Sequence, residues 1–169
     1  HIFIDTDGTP YLYFNRVDTP DPKHPQPVSK IHMVRLADDL LSIEGRPRVC
    51  LDSYQAWEDS AQTGGWCNEG AHVFAHDGRY FMTFSTGHYA HPGYSLGYAT
   101  ASAPTGPWEK ALDNPLLSMN PEAGVAGPGH NSVAWSPDTS ELFIIYHSHA
   151  RVGRVGPRVI NIDRLEIHG

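Results

Sequence analysis

Short apolar stretches alternate with turn residues along the whole chain, and one such pattern occurs three times. Residues 1–14 (HIFIDTDGTPYLYF), 72–84 (HVFAHDGRYFMTF) and 131–146 (NSVAWSPDTSELFIIY) share it. Each reads as a short apolar strand, a turn holding an aspartate, and a second strand rich in aromatic and β-branched residues. Asp7-Gly8 and Asp77-Gly78 are hairpin signals, because glycine supplies the positive φ that a tight turn needs. Pro137-Asp138 marks the third turn. Further strands are predicted over 30–36, 48–51, 94–100 and 159–167. The best helix candidate, 37–42, is a single short turn. Loops are predicted over the Pro-rich stretch 20–27 and over 114–129, which is rich in Gly and Pro.

The spacing of the repeat adds architecture. Asp7 and Asp77 are 70 residues apart, and Asp77 and Asp138 are 61 apart. A hairpin at the head of each interval, followed by two more strands, describes a four-stranded sheet repeated. Repeated four-stranded sheets are the blades of a β-propeller. A β-sandwich also needs evenly spaced short strands, but the internal repeat favours the propeller. The expected fold is all-β, with about three four-stranded blades at approximately 1–60, 68–112 and 129–169. Propellers typically close with four to eight blades, so the chain is expected to be part of something larger.

Composition narrows the functional classes. The 169 residues are 40% hydrophobic, 11% aromatic and only 18% charged, which suits one globular domain and not a disordered chain. Lys and Arg total 12, show no cluster, and leave a net charge of −7, which argues against nucleic-acid binding. No run of 18 apolar residues is present, so no membrane-spanning helix is expected. No secretory leader is visible ahead of the first strand, and the compartment stays open. Cys50 and Cys67 are expected as free thiols, with a single bridge as the alternative. Eleven histidines are present without HExxH or CxxC, so most are read as surface and cleft residues.

Two residues stand out as candidate chemistry. Glu69, in WCNEGAHVF, opens the inner strand of the second repeat, where a propeller directs side chains toward its axis. Trp57, Trp66, Tyr89 and Tyr94 lie near it in sequence, and flat aromatic faces suit sugar rings. Glu69 reads either as a general acid in a carbohydrate cleft or as a solvated strand-end glutamate. His130, in GVAGPGHNS, opens the third repeat behind a Gly-rich approach that lets backbone come close to a centre. A lone histidine is more often structural, but its place at the head of an inner strand favours an axial role. Asp7 is a turn aspartate, and Asp5 is read as structural.

These motifs occur in a familiar order. The run TGGWCNEGAHVFAHDGRYFMTFSTGHYAHPGYSLGYATASAPTGPW, then GPGHNSVAWSPDTSELFIIYHSH, then PRVINIDRLEIHG resembles glycoside hydrolase family 43, whose members are arabinofuranosidases, β-xylosidases and arabinanases. The opening IDTDGTPYLYF is similar to that family's third blade. The resemblance covers essentially the whole chain and implies blades three to five of a five-bladed propeller. It implies inversion by a carboxylate pair across the scissile bond, with room for a water between them. By this resemblance Glu69 corresponds to the general acid, and His130 to the histidine facing a metal ion, usually calcium, in the central channel. Arg158 corresponds to an arginine that touches the sugar, and Trp66 and Tyr89 are expected beside it as substrate-binding residues on the strength of their flat aromatic faces. Ala71 departs from the proline usual after Glu-Gly. The general base and the aspartate that raises the acid's pKa belong to the family's earlier segments and have no counterpart here.

The expectation is therefore the C-terminal part of a glycosidase acting on arabinose- or xylose-containing carbohydrate, inactive alone. A companion chain carrying the earlier blades, or self-association, is expected to cover its open sheet faces. The alternative is a non-catalytic carbohydrate-binding or scaffold fragment. A third reading, a metalloenzyme built on the histidines, would require tightly bound zinc.

Overall fold

The computed structural model describes residues 1–19 and 27–167, and of residues 60 and 62 the backbone alone. Most of the predicted loop 20–27 lies outside the described residues. The chain forms three antiparallel sheets, each a meander in chain order. The first holds β1 (Ile2–Ile4), β2 (Pro10–Asp18), β3 (Val28–Leu36) and β4 (Ile43–Leu51). The second holds β5 (Asn68–His76), β6 (Arg79–Thr86), β7 (Ser95–Ala101) and β8 (Glu109–Lys110). The third has three strands, β9 (Gly129–Trp135), β10 (Leu142–Arg151) and β11 (Arg154–Leu165). Its fourth strand, expected from the repeat, does not form among the described residues. Three meandering sheets built from one repeated hairpin make this an all-β propeller arrangement.

The hairpins follow the turn chemistry. Asp77 and Gly78 both take positive φ, 46° and 72°, which matches the twist of a two-residue hairpin. In the first turn Asp7 accepts the Thr9 amide at 2.8 Å, and Gly8 carries the positive φ. The third turn is longer: Asp138 gathers the hydroxyls of Ser136 and Ser140, and Thr139 takes φ 61°. The helix candidate at 37–42 is instead the β3–β4 turn. Asp39 accepts the amides of Leu41 and Ser42, and that side-chain competition with the backbone favours turns over helix. The α-helical turn that does form is α1 (Ser60–Thr63), after a 3₁₀ turn over Ala56–Glu58. No helix among the described residues is long and apolar enough to cross a membrane.

The sheets pack in a row. Tyr13, Ile31, Met33 and Leu51 of the first sheet close on Val73, Met82, Phe84 and Ala99 of the second. Asp5 joins this seam through the Tyr80 hydroxyl, which donates to its Oδ1 at 2.9 Å, so its role is structural. Trp57, placed near the cleft aromatics by sequence, belongs here too: it packs on Phe84, with ring centroids 6.3 Å apart. A smaller cluster of Leu96, Ile144 and Tyr146, flanked by Leu117 and Val133, joins the second sheet to the third. The two end sheets keep apolar residues on their outward faces. Ile160 and Ile162 on β11 are 78% and 63% exposed, and Ile2, Ile4 and Val49 are exposed on the first sheet.

Candidate active site

The second seam changes character at the end where β5 and β9 begin. Asn68 and Glu69 pair with Thr86 and Ser85 of β6, and the register then slips before His72. Gly70 sits in the slip with φ 61°. A Cβ built there would lie 3.3 Å from the His130 ring, so the two strand heads nearly touch. His130 itself takes φ 52°, and its amide donates to Ser85 Oγ at 2.7 Å. The irregular backbone thus brings Glu69 and His130, from different sheets, to one place.

Glu69 is half-buried, and its carboxyl is held. The Tyr94 hydroxyl donates to Oε1 at 2.7 Å. Tyr94 is fully buried and stacks on His147, with ring centroids 6.0 Å apart. Burial first, and the neighbouring Glu69 charge second, push the Tyr94 phenol well above its ordinary value, so it stays a proton donor. Gly129 makes room for that ring: a Cβ there would come within 1.9 Å of Tyr94 Cε1. The Cys67 thiol stands close to the Glu69 carboxyl, and burial first, then the Glu69 charge, push it up to about 12. Both cysteines are free thiols, as expected.

A second group of side chains stands on the third sheet. Gly156 donates its amide to His149 Nδ1 at 3.1 Å, so that nitrogen is the acceptor and Nε2 carries the hydrogen. His149 Nε2 then donates to the Tyr89 carbonyl at 3.0 Å, which ties the 87–93 loop to β10. Arg158 pairs with His149 across the β10–β11 ladder, and its guanidinium lies 5.2 Å from the Tyr89 ring centroid. His147 is half-buried with no hydrogen-bond partner at Nε2. Desolvation, followed by the Arg158 charge, pushes it down to about 4, so it is neutral at pH 7. The arrangement offers one carboxyl, one aromatic-cation platform and the neutral His147 imidazole, a set suited to binding and protonating a polar ligand.

Beneath Glu69 lies a buried ion pair. Lys110 Nζ donates to Glu58 Oε1 at 2.5 Å and to Asn68 Oδ1 at 2.8 Å. Asn68 returns a hydrogen bond to Glu58 Oε1 at 2.8 Å, and Glu58 Oε2 accepts the amides of Tyr54 and Gln55. Every member is satisfied, which a buried charge requires. The network fixes the residue directly before Glu69.

The predicted residues therefore fall in two groups. Gly70, next to Glu69, meets His130, and Arg158 meets Tyr89, with His147 between the groups through its stack on Tyr94 and its interaction with the Arg158 charge. Trp66 is half-buried ahead of β5, and its carbonyl accepts the Ser29 amide of β3 at 3.3 Å. Sequence reasoning missed the hydrogen-bonding role of Tyr94 and the parts of Ser85, His147 and His149. The glycine just before His130 was the available signal, since it marks a close approach. Among the described residues no three His, Cys, Asp or Glu side chains are grouped to hold a metal ion.

The sequence pattern described as "Glycosyl hydrolases family 43" matches residues 1–168. The chain belongs to glycoside hydrolase family 43. This family 43 chain is 43% identical to a thermostable family-43 glycoside hydrolase of known structure, with a TM-score of 0.91 over 99% of the chain. It is 30% identical over 146 residues, 86% of its length, to a β-D-galactofuranosidase of Aspergillus niger. It is 32% identical over 111 residues, 63% of its length, to an extracellular exo-α-(1→5)-L-arabinofuranosidase of Streptomyces avermitilis. It spans 54% of that solved structure, and 35% and 22% of those two curated relatives.

Proposed function

We propose that this chain is the C-terminal part of an inverting glycosidase, with Glu69 as its general acid. The observation that carries the reading is the held carboxyl: a half-buried glutamate, fixed by Tyr94 at a seam between two sheets, in a family 43 chain. A general acid must present its proton to the leaving oxygen in a defined direction, and a fixed carboxyl does this. The base of an inverting pair stands about 6.5–9.5 Å away with a water between. That base and the aspartate that tunes the acid are assigned to polypeptide beyond these residues, since the chain spans about half of its solved relative. Arg158 over Tyr89, with Trp66, is assigned to sugar binding. The substrates are arabinose- or xylose-containing saccharides; both curated relatives cleave furanosides by name, which favours a furanoside.

His130 is proposed to face the ion of the channel. Calcium takes six to eight oxygen ligands, and a single imidazole does not make such a site.

The exposed faces around Ile160 and Ile162, and around Ile2 and Ile4, are assigned to the missing part of the ring. A companion chain, or failing that a second copy, covers them. The alternative, a non-catalytic sugar-binding or scaffold fragment, shares the Arg158–Tyr89 platform and differs in needing no acid.

The experiment has two arms. Intact mass under denaturing conditions shows whether a second polypeptide accompanies the chain. Aryl arabinofuranosides and xylosides are then offered to the chain alone and to the complete enzyme. The expected result is turnover by the complete enzyme only, lost in Glu69→Gln. Turnover by the pure chain that Glu69→Gln abolishes overturns the claim of dependence on a partner. Full turnover by the Glu69→Gln complete enzyme overturns the acid.

A further inference from the structure

The carboxyl of Glu69 accepts a hydrogen bond from a fully buried phenol. The backbone N–H of His130 can only donate, and Ser85 Oγ accepts it at 2.7 Å. Ser85 is fully buried and neighbours the Tyr94 phenol. The Tyr94 hydroxyl donates to Glu69 Oε1, 2.7 Å away.

We infer that Tyr94 is a positioning residue of the acid, holding Oε1 as a permanent acceptor so that the transferable proton of Glu69 sits on Oε2. The inference rests on the reading of Glu69 as the general acid and deepens it. A free carboxylic acid carries its proton on either oxygen, and only one orientation serves a leaving group. The ring that delivers the hydroxyl has no freedom to move. Gly129 closes one side, where even a methyl group would clash, and His147 stacks on the ring. Cys67, the second residue before Glu69, neighbours the carboxyl as well, and the His130 ring packs over Gly70 next in the chain. A thiol is a weak donor and does not replace a phenol.

The test compares wild-type, Tyr94→Phe and Glu69→Gln forms of the complete enzyme on two aryl glycosides. One has a poor phenol leaving group, and the other has dinitrophenol, which departs without an acid. Phenylalanine keeps the ring, its stack and its packing. The expected result for Tyr94→Phe is a loss in kcat of about tenfold on the poor leaving group and less than about twofold on the dinitrophenyl glycoside. An equal loss on both substrates marks a structural role and overturns the inference. Infrared spectra of the 169-residue chain at acid pH give a readout without turnover. The carboxylic C=O band that Glu69→Gln removes should move to higher frequency in Tyr94→Phe, because Oε1 loses its donor. An unmoved band overturns the inference. If Glu69→Gln shows leaving-group dependence and Tyr94→Phe does not, the Tyr94 role alone fails. If Glu69→Gln shows none, the acid assignment fails and takes the Tyr94 role with it.

Discussion

The two seams between the sheets are closed in different ways. The first has an apolar core: Tyr13, Ile31, Met33, Met82 and Phe84 are at most 2% exposed. The second has a smaller apolar cluster around Leu96, Ile144 and Tyr146, and its axial end is given to Glu69, Tyr94, His130, His147 and His149. Both are built from the same hairpin repeat. The difference lies in the strand heads. At the first seam β1 docks on β5 by the His1 ring, whose Nε2 lies 3.0 Å from the Val73 carbonyl, and the packing behind it is side chain on side chain. At the second, positive φ at Gly70 and His130 turns the heads of β5 and β9 toward each other. Stability is concentrated in one seam and polar chemistry in the other.

The largest expected effect is loss of the first seam. Phe84→Ala removes a fully buried ring from the centre of that cluster and should cost about 3–5 kcal/mol. Ile144→Val, in the second seam, removes one methyl group and should cost about 0.5–1.5 kcal/mol. Urea unfolding of the two variants measures both. Equal losses would mean that the second cluster is as central to folding as the first.

The buried ion pair sharpens the comparison because it links the first seam's edge to the head of β5. Lys110 lies over the Phe84 ring at 4.8 Å and reaches Asn68, the neighbour of Glu69. Lys110→Met leaves Glu58 charged, buried and short of its main partner, and should cost about 3–5 kcal/mol. Adding Glu58→Gln to it removes the stranded charge and should return a large part of that loss. A double-mutant cycle by denaturant unfolding checks this; simple additivity would show the two charges acting separately.

Much of this fold was legible in the sequence, and the reasons are local. Alternation and the Asp-Gly turns reported β1, β2, β5 and β6, since strand period and turn φ depend on neighbouring residues. Glu69 and His130 were visible because each opens a repeat. Lys110 was not legible as a buried group. A lysine reads as surface, and what buries it is Glu58, 52 positions earlier in the chain. The acceptor pairing of Tyr94 was hidden for the same reason, as Glu69 is 25 positions away. The loop over 114–129 was legible too: among its described residues it makes only the isolated bridges Leu96–Leu117 and Asn120–Val125. Its prolines remove the amide donors that a ladder needs.

The smallest expected effect separates the seams by charge. Cys50 packs against the first cluster and Cys67 stands beside Glu69, and burial pushes both thiols from near 9 up to about 12. A thiol that holds its proton more tightly when folded stabilises the fold fully below about pH 9. That contribution is lost as the pH rises from 9 to 12, because the unfolded chain releases its proton first. Thermal melts over that range should fall less steeply for Cys50→Ala and for Cys67→Ala than for the parent chain. The two thiols then part company. After burial, Glu69 is the next cause raising Cys67, whereas the nearby Arg48 lowers Cys50. Glu69→Gln should therefore move the thiolate absorbance of Cys67 to lower pH and leave that of Cys50 in place, each read in a background where the other cysteine is alanine. A Cys67 titration that ignores Glu69→Gln would mean that the carboxyl and the thiol do not share the electrostatics of the second seam.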